Sequence, residues 1–116
     1  MDERLEKALE FGNFTKTLND QRRMLTEKYH EDLIFFYQGA QFTLTQTLIS
    51  FVATLIQTGN NTSVIADDNN TPIRIDNLKD FNEDILNLYT SASNSYFTEY
   101  QQIKSNRSIE KLISHE

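Results

Sequence analysis

Glu27-Lys28-Tyr29-His30 is the stretch whose residue types and spacing come nearest to chemistry. An E-x-x-H on a helix sets a carboxylate and an imidazole on one face, as the helices of di-iron carboxylate bundles do. Such a centre takes two of these motifs and further carboxylates from the remaining helices. The other histidine, His115, has Leu112 three residues before it, so the set is incomplete and Glu27 and His30 read as a solvated helix face. Asp67-Asp68 and Glu83-Asp84 are adjacent pairs, which on a helix point apart and suit solubility better than acid–base work. The acidic turn Asp67-Asp-Asn-Asn-Thr-Pro72 invites calcium. Counted from Asp67 as first ligand, however, it sets Pro72 where an EF-hand needs glycine and Leu78 where it needs the bidentate glutamate. With no cysteine there is no disulfide, no thiolate zinc site and no thiol nucleophile, and none of the three glycines stands near another to cradle phosphate. The expectation is a non-enzymatic chain without cofactor or metal.

Two other groups of side chains could bind. Gln21-Arg22-Arg23 and Lys104-Ser-Asn-Arg107 are the local positive spots, and Arg22, Arg23, Lys104 and Arg107 together could hold a phosphate. A net charge of −6 and a pI near 4.8 weigh against a general affinity for nucleic-acid backbones, which comes from counterion release by Lys and Arg. The aromatics Phe35, Phe36, Tyr37 and Phe42 could line a small-ligand pocket, although such a cluster more often makes the packed corner of a helical hairpin.

The elements that must position these residues are helical. Residues 42–58 form a central helix apolar on nearly every side, with Leu44, Leu48, Phe51 and Leu55 on one face and Ile49, Val52, Ala53 and Ile56 on the next. Thr43 and Gln46 fit a capping box at its start, and Gly59 stops it. Residues 2–37 read as one long helix with a packed stripe that Gln21 and Arg22 interrupt. That interruption is either an arginine snorkelling at the seam's edge or a polar pair fixing helix register. The connection from Tyr37 to Phe42 is short, so the central helix folds back on the first. Residues 60–75 form a small β-hairpin or irregular loop, with Ser63–Ile65 and Ile73–Ile75 as strands. Asp76 caps a second long helix over 77–104, whose apolar steps follow a coiled-coil seam as far as Ala92. A short C-terminal helix over 108–113 closes the chain. The fold class is mainly α: a single helical domain over 1–116, with two long helices around a short central one.

Residues 1–7 carry charges of both signs and no apolar leader, which implies a cytoplasmic setting. The apolar run Leu44–Ile56 is too short and hydroxyl-rich for a bilayer, which needs about 20 apolar residues. At about 1.5 Å per residue the first helix runs roughly 50 Å and the central one only about 25 Å. Leu5, Leu9, Phe11, Phe14 and Leu18 therefore lack cover and mark an oligomer interface, with a homodimer favoured and a larger protein partner possible. The competing arrangement has the helix over 77–104 covering them within one chain. Self-association is the leading function. A nucleic-acid accessory factor for replication or recombination is the alternative, and a small-ligand-binding helical protein the second.

Tyr37-Gln-Gly-Ala-Gln-Phe42, the Leu/Ile-rich helix after it, Tyr96-Phe-Thr-Glu-Tyr100 and Asn106-Arg-Ser-Ile-Glu-Lys-Leu-Ile113 together resemble small uncharacterised proteins of T4-like marine phages. That resemblance implies an intracellular viral context and no activity.

Overall fold

The computed structural model describes residues 2–114, with side chains described through residue 106. The chain runs α1 (Glu3–Asp32), β1 (Ile34–Tyr37), β2 (Ala40–Thr43), α2 (Gln46–Gln57), β3 (Ser63–Ala66), β4 (Pro72–Ile75) and α3 (Leu78–Ser114). It is mainly helical, with two antiparallel hairpins, β1–β2 and β3–β4. Among the described residues no helix is long and apolar enough to cross a membrane. The chain divides into two compact units, one of residues 1–29 and 95–116, the other of residues 30–94.

The first helix ends at Asp32 rather than running to Tyr37, and a hairpin stands where a short connection was expected. Ile34-Phe-Phe-Tyr37 is β-branched and aromatic, the composition that packs best on a pleated surface. Gln38 and Gly39 take φ of 48° and 82°, matching the two-residue type I′ turn whose twist suits a hairpin. The register pairs Ile34 with Thr43, Phe35 with Phe42, Phe36 with Gln41 and Tyr37 with Ala40, and a bond from Leu44 N–H to the Leu33 carbonyl (2.8 Å) extends it.

The central helix accordingly begins at Gln46, and its cap is Thr45, not Thr43. Thr45 is extended (φ −130°, ψ 159°), and its hydroxyl accepts from the Leu48 N–H at 3.0 Å. Thr45→Ala is expected to cost about 1 kcal/mol, read as a lower urea midpoint at unchanged slope. At the other end Gly59, at φ 90°, takes the left-handed position that ends a helix. Contrary to expectation this helix is not enclosed: only Val52 is fully buried and Phe51 is 50% exposed.

The deepest packing of the unit over residues 30–94 lies around Phe81 instead. Phe35, Tyr37 and Phe42 each meet its ring edge-on, at centroid separations of 5.7, 5.4 and 5.6 Å. Leu44, Val52, Ile75, Leu78, Phe81 and Ile85 are all within 1% of full burial. Strand alternation accounts for this: Phe35 and Tyr37 share one face of β1, and Ile34 and Phe36 share the other.

The cap of α3 is Asn77 rather than Asp76. Its side chain accepts from the Asp80 N–H (3.1 Å) and donates to the Asp80 carboxylate (2.9 Å), while Asp76 pairs with Arg74 at 3.1 Å. The expected separate helix over 108–113 is the continuation of α3, which is unbroken to Ser114. The small polar run Thr90–Ser95 is where α3 leaves one unit for the other.

In the unit of residues 1–29 and 95–116, Leu18 and Leu25 are buried, seven residues apart on one stripe of α1. Tyr29 packs on Tyr96 with centroids 4.5 Å apart, and Lys28 bonds Glu99 at 2.8 Å, so this end of α1 is held by α3.

Candidate functional site

The candidate interface residues of α1 do not lie on one face. At about 100° per residue, Phe11 and Phe14 fall within roughly 40° of Leu18, whereas Leu9 is about 180° and Leu5 about 140° away. Leu18 is 7% exposed and Phe14 half-buried; Leu5 and Leu9 are each 51% exposed and Phe11 65%. The N-terminal half of α1 thus offers apolar side chains in two directions: one extends the Leu18–Leu25 stripe, and the other faces away from it.

Of the four basic residues, Arg22 and Arg23 are described in different surroundings. Arg23 is exposed between Asp20 (3.6 Å) and Glu27 (4.0 Å) on its own helix. Its neighbour Arg22 points about 100° away. Arg22 is half-buried on the Leu18–Leu25 stripe, and its Nε is enclosed without a hydrogen-bond partner. Lys104 is exposed on α3, and the side chain of Arg107 lies outside the described residues, as does His115. Of the E-x-x-H pair, Glu27 is the carboxylate engaged by Arg23.

The aromatic corner is packed core. Phe35, Tyr37 and Phe42 converge on Phe81 and fill the space between them, while Phe36 projects from the opposite face, 67% exposed. A depression of about 470 Å³ does lie beside it, floored by Leu33, Ile34 and Leu44 and rimmed by His30, Glu31, Thr43 and Thr45. A second, of about 530 Å³, is lined by the single helix α3 from Phe97 to Asn106.

The acidic turn does something the sequence did not suggest. Asp67 organises its own loop, accepting from the N–H groups of Asn69 (2.9 Å) and Thr71 (2.8 Å). Asp68 reaches across to the first hairpin. Its carboxylate accepts from the Thr43 N–H (2.9 Å), the Thr43 hydroxyl (2.7 Å) and the Gln41 amide (3.0 Å), and its own N–H donates to the Gln41 carbonyl (2.9 Å). Asp68 thereby occupies the outer edge of β2. Desolvation pushes its carboxyl up, but the bonds from Thr43 and Gln41 together outweigh that and hold it below its usual value. A carboxyl lowered in the fold contributes stability above its unfolded value, near 3.9, and loses it as pH falls through the lowered folded value. Asp68→Asn is expected to cost about 1 kcal/mol at neutral pH, little because the group is exposed to water. Its stability should also fall less than the wild type's between pH 5 and pH 2, measured by urea unfolding across that range.

The sequence points to Asp67 and Asp68 in that turn but not to Asp68's partner Thr43, whose spacing to Gln46 suggests a helix cap instead. No signal in the local sequence links residues 25 apart. Comparisons with protein-family models, with curated proteins and with solved structures return no match.

Proposed function

We propose that this protein acts by assembling with itself, through the N-terminal half of α1, and that it is not an enzyme. The observation that carries the reading is the exposure of Leu5 and Leu9 on one face of the 30-residue α1, with Phe11 exposed on the other. Large apolar side chains grouped on an exposed helix are a usual mark of an interface. Their distribution over two faces lets α3 of the same chain take the Leu18 side while a second copy takes the Leu5–Leu9 side. A two-fold dimer is the simplest closed arrangement, and it requires only that this patch meet itself. The half-open flanks of α2, with Phe51 at its border, offer a place for a larger protein.

The rival reading is a nucleic-acid accessory factor. Arg23 between two acids and a net charge of −6 give it little support. Titration with single-stranded DNA at two salt concentrations separates the two. Phosphate-driven binding weakens steeply with salt, whereas assembly through apolar residues yields no DNA binding at either concentration and a mass that rises with protein concentration.

A further inference from the structure

We propose a second contact between copies: antiparallel pairing of the free edge of β1 with β1 of a second copy, joining two hairpins into a four-stranded sheet. The inference starts from which way the main chain points. Leu33 and Leu44 form a hydrogen-bonded pair, so by alternation Phe35–Phe42 and Tyr37–Ala40 are the other inward-bonded pairs. The N–H and C=O groups of Ile34 and Phe36 therefore point away from β2, and among the described residues they meet no partner.

The four strand edges are treated differently. Of the corresponding outward groups of β2, the Gln41 carbonyl and the Thr43 N–H are taken by Asp68. The outer edge of β4 carries Pro72, which lacks an N–H, and the exposed, charged Arg74. Both are devices that prevent strand addition. The outer edge of β3 is open but offers only Val64 and Ala66. β1 has neither guard nor charge, and its outer face carries Ile34 and the 67% exposed Phe36.

The edge is complementary to itself. With a two-fold axis at Phe35, Ile34 of one copy stands opposite Phe36 of the other. Each such pair exchanges two bonds and the axis makes two pairs, about four main-chain bonds in all. Ile34 then packs on Phe36 of the second copy, an aromatic on a β-branched side chain directly across the strands. Charge is compatible too: in this register Asp32 falls opposite Gln38 of the second copy, so no acid meets an acid on a chain that is acidic overall. Two four-residue edges bury far less than the roughly 1,200 Å² of a stable interface, so this contact rests on the self-association reading and adds to it.

The test is amide hydrogen exchange by nuclear magnetic resonance on the full chain at low and high concentration, alongside the mass, for the wild type, Phe36→Pro, and the Leu9→Glu/Phe14→Glu variant. Proline at position 36 removes an outward N–H and leaves the inward ladder whole. The proposal expects the Ile34 and Phe36 amides of the wild type to slow by about tenfold or more at high concentration. It also expects Phe36→Pro to lower the mass while the Phe35 and Phe42 amides stay protected. If the wild type assembles with Ile34 and Phe36 exchanging equally fast at both concentrations while the Leu9→Glu/Phe14→Glu variant does not assemble, the edge contact is overturned and the α1 reading stands. If the α1 variant still assembles and Phe36→Pro abolishes it, the α1 reading fails and the edge contact stands. A wild type that is monomeric throughout overturns both.

Discussion

Phe81→Ala is expected to remove about 3–5 kcal/mol of stability, enough to leave a domain of this size near its unfolding threshold. Phe81 is 1% exposed and is the one ring that Phe35, Tyr37 and Phe42 all touch, each within 6 Å and near perpendicular. Its truncation forfeits the transfer energy of the ring, opens a cavity between β1, β2 and α3, and ends three edge-to-face contacts worth about 0.5–1.5 kcal/mol each beyond burial. Neighbouring side chains cannot close the gap, because all three rings sit on a hairpin whose register the Gln38-Gly39 turn fixes. Phe81→Leu, which keeps most of the volume, should cost much less, and Phe36→Ala close to nothing, since Phe36 lies on the open face. Urea unfolding of the three variants checks the order. An equal loss for Phe36→Ala and Phe81→Ala would contradict the placement of the core.

Leu9→Glu with Phe14→Glu is expected to convert the proposed assembly to a folded monomer, with association weakened about a hundredfold or more, because Leu9→Glu would bury a charge against the second copy's apolar face and Phe14→Glu would loosen the helix that presents it. Leu9→Glu alone should account for most of that loss. Leu9 is 51% exposed in the single chain and faces away from the Leu18–Leu25 stripe, so a carboxylate there costs the isolated fold nothing while spoiling the intermolecular face. Phe14 is half-buried on the same side as Leu18, and Phe14→Glu should lower thermal stability as well as mass. Circular dichroism and light scattering on the two single variants separate these effects.

Much of the helical content was legible because periodicity is a local signal. The stripe from Leu18 through Leu25 to Tyr29 and the apolar steps of α3 to Ala92 follow from spacing, while turn chemistry around Asp67–Thr71 leaves a hairpin or a loop open and the structure shows the β3–β4 hairpin. The first hairpin was harder to see. Leu33 to Tyr37 continues the apolar rhythm of α1 without a break, and only the aromatic and β-branched composition, with Gln-Gly between two such runs, separates strand from helix there. The consequences spread from that point: the cap moved from Thr43 to Thr45, and the aromatic corner became a core organised by Phe81. For the candidate interface, the sequence supplied the apolar residues but a straight helix decided their directions, parting Leu5 and Leu9 from Phe11 and Phe14. The Asp68 bridge and the contrast between guarded and open strand edges depend on contacts distant in sequence, which no local pattern reports.

The central claim, that the chain assembles through the N-terminal half of α1, is tested most directly by light scattering coupled to size exclusion. The wild type and Leu9→Glu/Phe14→Glu would each be run at two protein concentrations. A wild-type mass that is a multiple of the 13.6 kDa chain, with the variant at the single-chain mass and unchanged in helicity, is the expected result. A wild type that stays at the single-chain mass at both concentrations would contradict the claim.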